Sequence, residues 1–114
     1  MSPERARIFI VEDNEDFQNL YKIDLENNGH IVVKTARTQD EAMEIINELG
    51  NLGIQVTILD QNDNINGVAV ATAIRSKHPE IKLIGFVGGE PFPNVDAFAS
   101  KLYPEHLSRV VTEI

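Results

Sequence analysis

Residues 56–67 read VTILDQNDNING, and the change of character inside this stretch decides how the surrounding chain folds. Residues 56–59 are aliphatic or β-branched, which is typical of a strand buried on both faces of a parallel sheet. Asp60 follows directly, and the loop after it is almost entirely polar. A strand of this kind holds the carboxylate at its end rigidly. The binding sites of parallel α/β proteins lie beyond the carboxyl ends of the strands, where this carboxylate is expected.

Strands and helices alternate along the chain. Short aliphatic segments predict strands over residues 8–11, 31–33, 54–59 and 83–87, and a weaker pattern predicts a fifth strand over residues 96–100. Helical spacing predicts four further segments, which begin near Asn14, near Ala42, at Gly67 and near Pro104. In the first helix, Phe17, Leu20, Tyr21 and Leu25 are expected to share one apolar face. The alternation predicts an α/β domain with a parallel sheet covered on both faces.

The segment after the fourth strand is unusually short. Residues 88–100 separate Val87 from Lys101, and they include two glycines and two prolines. A complete helix and a strand barely fit into this length. The fourth helix of the alternating pattern is therefore predicted to be shortened or absent.

Composition limits the possible functions. The chain of 114 residues is predicted to form one domain over residues 1–114, and its 10 basic and 18 acidic residues give a net charge of −8. Such a charge disfavours direct binding of nucleic acid through its phosphates. There is no cysteine, which excludes disulfides and thiolate chemistry. Neither a signal peptide nor an apolar run of about 20 residues is recognisable, so a cytoplasmic protein without membrane contact is expected.

Acidic side chains follow two of the predicted strands. Glu12 and Asp13 come after the first strand, Asp60 comes after the third, and Lys101 follows the fifth. If the first and third strands are neighbours, three carboxylates converge, and a hard cation such as Mg²⁺ would relieve their mutual repulsion. The alternative is local: Asp13 or Asn14 caps the first helix, and Asp60 belongs to a turn.

The segments IFIVEDNEDF, VTILDQN and DAFASK together resemble the receiver domain of two-component response regulators. The resemblance covers essentially the whole chain. It implies a flavodoxin-like, doubly wound sheet of five parallel strands in the order 2-1-3-4-5. It also implies that Asp60 accepts a phosphoryl group from a histidine kinase or a phosphotransfer protein, with Lys101 pairing with a phosphoryl oxygen. By the same resemblance, Glu12, Asp13, Asp60 and the backbone carbonyl of Asn62 hold Mg²⁺.

The chain also departs from the receiver pattern. Val87 stands where receivers usually carry the Ser or Thr whose hydroxyl follows the phosphoryl group, and valine offers no such hydrogen bond. Phe98 occupies the position of the aromatic switch residue, although it could equally be an ordinary core residue of the fifth strand. Lys101 is followed by Leu102, where the family usually has proline. These departures, with the short 88–100 segment, indicate an atypical receiver with a remodelled output side.

Three functions are compatible with these observations. The first is a Mg²⁺-dependent phosphorylation switch, which acts on a protein effector or through self-association and is not a metabolic enzyme. The second is a phosphorylation-independent pseudo-receiver that serves as a docking module. The third, a small phosphohydrolase or nucleotide-binding protein, is disfavoured because the chain has no P-loop, no GxGxxG and no second aspartate two residues after Asp60.

Overall fold

The structure is a computed structural model that describes residues 5–62, 64–87, 93–100 and 107–114. Its strands are β1 (Arg7–Val11), β2 (Ile31–Ala36), β3 (Val56–Leu59), β4 (Lys82–Val87) and β5 (Ala97–Ser100). Its α-helices, within those residues, are α1 (Glu15–Asn27), α2 (Gln39–Ile45), α3 (Gly67–Lys77) and α4 (Leu107–Glu113). A turn of 3₁₀-helix, Ile46–Glu48, extends α2.

The five strands form one parallel sheet in the order β2-β1-β3-β4-β5, which confirms the predicted fold class. The central pair runs in simple register, so that Val11 at the end of β1 lies opposite Leu59 at the end of β3. The register between β1 and β2 shifts between Ile8 and Phe9. The chain segments that follow β1 and β3 therefore leave the sheet side by side.

Alternate residues of each strand face opposite layers. On β1, Ile8 and Ile10 pack in one buried cluster with residues of α1 and α4, whereas Phe9 and Val11 pack in a second cluster with residues of α2 and α3. Both clusters consist mainly of branched aliphatic side chains with almost no exposure to solvent. This two-sided burial explains why the strands are nearly continuous apolar runs.

Helix α1 begins as predicted, but its buried face differs from the prediction. Asn14 is the N-cap, and its side-chain oxygen accepts a hydrogen bond from the backbone N–H of Phe17 at 3.0 Å. The buried residues of the helix are Gln18, Tyr21 and Leu25. Phe17 and Leu20 are 39% and 44% exposed, so only two of the four residues of the predicted apolar face are buried. An unpredicted polar residue, Gln18, takes the place of an apolar one.

The connection between β4 and β5 supports the prediction of a reduced fourth helix. Residues 93–96 are bend and coil, and no helix falls within this described part of the connection. Residues 88–92, including Gly88, Gly89 and Pro91, lie outside the described residues. Among the helices that are described, none is long and apolar enough to cross a membrane.

Candidate functional site

Adjacent strands bring the predicted carboxylates together. The backbone N–H of Asp60 donates to the carbonyl of Val11 at 3.1 Å, which continues the β1–β3 pairing by one residue. One carboxylate oxygen from each of Glu12, Asp13 and Asp60 lies within 4.8 Å of the other two. The prediction that β1 and β3 are neighbours is thus confirmed, and the acidic residues at their ends form one cluster.

Glu12 is the most deeply buried member of the cluster, with 1% of its surface exposed. Its Oε2 accepts a hydrogen bond from the backbone N–H of Asn14 at 3.1 Å, and its Oε1 accepts one from the hydroxyl of Tyr21 at 3.3 Å. Burial, and then the negative charge of Glu12, raise the pKa of Tyr21 well above its usual range. The phenol therefore remains a protonated donor to Glu12 at neutral pH.

Asp13 lies at the surface of the cluster, and two side-chain amides hold it. Oδ1 accepts from Nδ2 of Asn62 and Oδ2 accepts from Nδ2 of Asn64, both at 2.9 Å. The hydrogen bond from Asn64 is the main reason that the pKa of Asp13 lies below its ordinary value of 3.8, although partial burial acts in the opposite direction. Asp13 is therefore ionised at neutral pH. It does not cap α1, because Asn14 does.

Asp60 is 3% exposed and stands directly after β3. Its Oδ1 accepts from the backbone N–H of Gln61 at 2.8 Å, and its Oδ2 accepts from Nδ2 of Asn62 at 2.6 Å. These two contacts fix the plane of the carboxylate. The bond to its own neighbour is turn-like, as the local interpretation expected, but the same residue also faces Asp13 and Glu12 across the cluster.

Side-chain hydrogen bonds, together with the backbone bond from the N–H of Asn62 to the carbonyl of Ile65, hold the loop from Asp60 to Gly67. Asn62 accepts two backbone N–H groups in an Asx turn, while Oε1 of Gln61 accepts from the N–H of Gly67 at 2.6 Å and of Val68 at 3.3 Å at the start of α3. Ile65 is fully buried and anchors the loop to the core. The polar side chains that distinguish this segment in the sequence thus connect it to the end of β3 and to the start of α3.

The prediction for Asn62 concerned its backbone carbonyl, and the structure adds an unexpected role for its side chain. Its backbone N–H donates to the carbonyl of Ile65 at 3.0 Å, and its side-chain nitrogen contacts two of the three carboxylates. The donor chemistry of the cluster nevertheless fits a hard divalent cation, because three carboxylate oxygens converge within 4.8 Å of one another.

The other predicted site residues are placed as follows. Val87 ends β4 and lies opposite Ser100 of β5. Phe98 lies on β5 and is 39% exposed, so it is not an ordinary core residue. Lys101, together with Leu102 and Pro104, lies outside the described residues.

Sequence reasoning missed several residues that support the cluster. Gln18, only 8% exposed, donates from Nε2 to the backbone carbonyls of Glu12 at 2.9 Å and Ala36 at 3.0 Å. It thereby ties the ends of β1 and β2 together beneath the cluster. In the sequence, Gln18 is visible only as a polar residue between the apolar positions of α1. Its contact with the two carbonyls can be recognised only when the position of the helix across the strand ends is known. Tyr21 and Asn64 carry no comparable signal in the sequence.

Comparison with known proteins agrees with this geometry. Residues 8–99 match the family model of the response regulator receiver domain. A CheY-like response regulator receiver domain protein from Methanospirillum hungatei is similar at 23% identity and a TM-score of 0.77, with 95% of this chain and 91% of that chain covered.

Two further solved structures have the same fold. A two-component response regulator of the LuxR family from an Aurantimonas species is 19% identical, with a TM-score of 0.80 over 94% of this chain and 82% of that one. The BeF3-activated receiver domain of DrrB is 18% identical, with a TM-score of 0.75 over 96% of each chain. At these identities the structural likeness shows the fold, and the family match rests on the sequence of residues 8–99.

Proposed function

The chain belongs to the family of response regulator receiver domains, and we propose that it accepts a phosphoryl group on Asp60 in a Mg²⁺-dependent reaction that switches its binding to a protein partner. The observation that carries this proposal is the position of Asp60. Its carboxylate is nearly buried at the end of β3, within 4.8 Å of the carboxylates of Glu12 and Asp13. Receiver domains are signalling modules, so the expected outcome is a change of partner and not a metabolic product.

Glu12, Asp13 and Asp60 would hold Mg²⁺, and the family pattern adds the backbone carbonyl of Asn62. The ion would supply the positive charge that neutralises the phosphoryl oxygens during transfer. Hydrogen bonds within the protein already orient two of these side chains. Tyr21 and the N–H of Asn14 orient Glu12, and Asn64 orients Asp13 from its outer side. The fixed carboxylates reduce the reorganisation that ion binding requires.

The transfer itself needs little covalent chemistry from the protein. An oxygen of Asp60 attacks the phosphorus of a phosphohistidine on the kinase or phosphotransfer protein, and the phosphorus–nitrogen bond breaks. The electron pair of that bond returns to the imidazole, which takes up a proton and leaves as the neutral base. The product is an acyl phosphate on Asp60. The hydrogen bond from the N–H of Gln61 holds the carboxylate in place for this attack.

The remaining roles are proposed from the family pattern. Lys101 would pair with a phosphoryl oxygen as a compact positive charge. The structure itself has a cleft beside Asp13, lined by Arg37, Thr38, Glu41 and Asn64, through which the phosphodonor would approach. Phe98 would report the state of the site on the β5 surface. A cytoplasmic location and binding to a protein effector or to a second copy of the chain belong to the same proposal.

One observation favours a second candidate function. Val87 cannot donate the hydrogen bond through which a Ser or Thr at the end of β4 would follow the phosphoryl group. A domain that has lost this response could still dock to a partner through the same fold. In this alternative the chain is a phosphorylation-independent pseudo-receiver.

The first experiment is treatment with Mg²⁺ and a small phosphodonor such as acetyl phosphate, followed by intact-mass measurement. The wild-type protein should gain one phosphoryl group, and Asp60→Asn should gain none. Asp16→Asn provides the matched control, because it makes the same substitution at an exposed carboxylate of α1. A wild-type protein that stays unmodified while it still binds its partner would support the docking module instead.

A further inference from the structure

The side-chain amide of Asn62 has a fixed orientation. Its Oδ1 accepts the backbone N–H of Asn64 at 2.8 Å and that of Ile65 at 3.0 Å. Rotating the amide by half a turn would bring its NH₂ group against these two donors. The oxygen is therefore committed to the Asx turn, and the nitrogen has to face the other way.

In this orientation Nδ2 of Asn62 bridges two carboxylates. It donates one hydrogen to Oδ1 of Asp13 at 2.9 Å and the other to Oδ2 of Asp60 at 2.6 Å. Asp13 and Asp60 would hold a hard divalent cation through their carboxylate oxygens, so the cation and the Asn62 amide would compete for these two side chains.

Asn64 offers a natural comparison. Its Nδ2 also donates to Asp13, at 2.9 Å, but to the other oxygen, Oδ2. No contact in the described residues places the Asn64 amide on Asp60. One asparagine thus bridges the acidic pair and the other holds a single carboxylate from outside.

We propose that the Asn62 amide acts as a gate for the cation, bridging Asp13 and Asp60 until an ion displaces it. This proposal rests on the Mg²⁺-dependent function above and adds a regulatory step to it. The amide is a neutral donor, so it satisfies the two carboxylates without neutralising their charge. A bound ion would supply that charge, and the side chain of Asn62 would have to rotate away from the two carboxylates.

Displacement of the amide would change the loop as well as the site. The same side chain that bridges the carboxylates also forms the Asx turn with Asn64 and Ile65, so one rotation disturbs both ends of the interaction. Through Gln61, which accepts from the N–H of Gly67 at 2.6 Å, the loop is tied to the start of α3. Ion binding would therefore be coupled to α3 through this loop, a route that does not need a hydroxyl at Val87.

The test compares Mg²⁺ binding by the wild type, Asn62→Ser and Asn64→Ser, using calorimetry and amide NMR at constant ionic strength. Serine keeps an oxygen that can accept in the turn but has no amide to reach the carboxylates. Because two hydrogen bonds to charged groups no longer compete with the ion, Asn62→Ser should bind Mg²⁺ about tenfold more tightly. Asn64→Ser should bind Mg²⁺ no more tightly than the wild type, because the bridge remains and Asp13 loses the amide that orients it.

The wild-type protein supplies an independent readout. The side-chain NH₂ signals of Asn62 should shift on saturation with Mg²⁺, together with the backbone amides of Ile65 and Gly67. Unmoved Asn62 signals at saturation would overturn the gate even if the variant failed to fold. If the wild type binds Mg²⁺ and Asn62→Ser binds no more tightly, the gate is wrong and the metal site stands. If neither protein binds Mg²⁺, the metal-dependent function fails together with the gate.

Discussion

The hydroxyl of Tyr21 donates a hydrogen bond to Oε1 of Glu12 at 3.3 Å, from a ring whose centroid lies 4.3 Å from that of Phe86 on β4. Tyr21, Glu12 and Phe86 are each 1% exposed. The carboxylate at the end of β1 is thus part of the aromatic packing between the sheet and α1. A substitution in the aromatic packing should therefore affect Glu12, and a substitution of Glu12 should affect the packing.

Replacing Tyr21 by phenylalanine tests this link. The ring and its packing remain, but a buried carboxylate loses one of its donors, so the free energy of unfolding should fall by about 1–3 kcal/mol. Urea unfolding at neutral pH measures the loss. In a Glu12→Gln background the same substitution should have a clearly smaller effect, because the two residues act as a pair. Equal losses in both backgrounds would show that the hydrogen bond contributes nothing specific.

Gln18 should stabilise the ends of β1 and β2. Gln18→Met keeps the length of the side chain but removes the donor to the carbonyls of Glu12 and Ala36, and we expect a loss of about 1–3 kcal/mol in the free energy of unfolding. Gln55→Met is the control, because Gln55 is exposed and its side-chain oxygen accepts from the N–H of Arg7 at 3.0 Å. If the two variants were equally stable, the hydrogen bonds of Gln18 would contribute no more to stability than the hydrogen bond of the exposed Gln55.

Mg²⁺ should stabilise the folded protein through the acidic cluster. With the ion about tenfold above its dissociation constant, the free energy of unfolding should rise by about 1.4 kcal/mol, because the ion binds the folded chain selectively. Asp13→Asn should abolish this rise, since it removes a charged ligand. Asp16→Asn, at an exposed position of α1, should keep it. The measurement compares the urea midpoints of the three proteins with and without Mg²⁺. A midpoint of the wild type that does not change with Mg²⁺ would contradict the prediction.

His30 should make the fold sensitive to mild acid. Its Nδ1 accepts the backbone N–H of Ala6 at 3.0 Å, and its buried Nε2 has no hydrogen-bond partner among the described residues. Burial lowers the pKa of His30 below its ordinary value of 6.5, although the negative charge of Asp24 acts in the opposite direction. Protonation would place a hydrogen on Nδ1 and break the bond to Ala6.

The sign of the pH effect follows from the lowered pKa. The unfolded chain takes up the proton first as the pH falls through 6.5, so stability is complete above that pH and is lost towards the pKa of the folded state. The loss cannot exceed about 1.4 kcal/mol per pH unit for one group. Asn replaces the acceptor without titrating, so His30→Asn should flatten the slope between pH 7 and 5. A slope that stays unchanged in the variant would remove His30 as its cause.

The fold was predictable because its causes are local. Residues 56–59 form a strand since four successive side chains, three of them aliphatic and the fourth the β-branched Thr57, are buried between two layers. Asn14 ends the loop before α1 since its side chain caps the helix. The position of Asp60 at the carboxyl end of β3 follows from where the apolar run stops. The acidic cluster required one more step, the order of the strands, which the resemblance to receivers supplied.

The contacts inside the cluster depended on the tertiary structure. No pattern in the sequence indicates that the Tyr21 hydroxyl meets Glu12, or that Gln18 spans two strand ends, because these contacts depend on where α1 crosses the sheet. For the same reason, helical spacing assigned Phe17 and Leu20 to the same face as Tyr21 but could not show that both remain exposed. Periodicity shows which residues share a face, but only packing against the neighbouring elements decides how much of that face is buried.

The sequence by itself thus determined the alternation of strands and helices. It also determined that Glu12, Asp13 and Asp60 lie at the carboxyl ends of their strands. Those features depend on hydrophobic periodicity and on residue type, both of which can be read along the chain. Only the tertiary structure decided that an amide, that of Asn62, joins Asp13 to Asp60. Its orientation depends on the hydrogen bonds of a folded turn, and its contact with Asp13 depends on the pairing of β1 with β3.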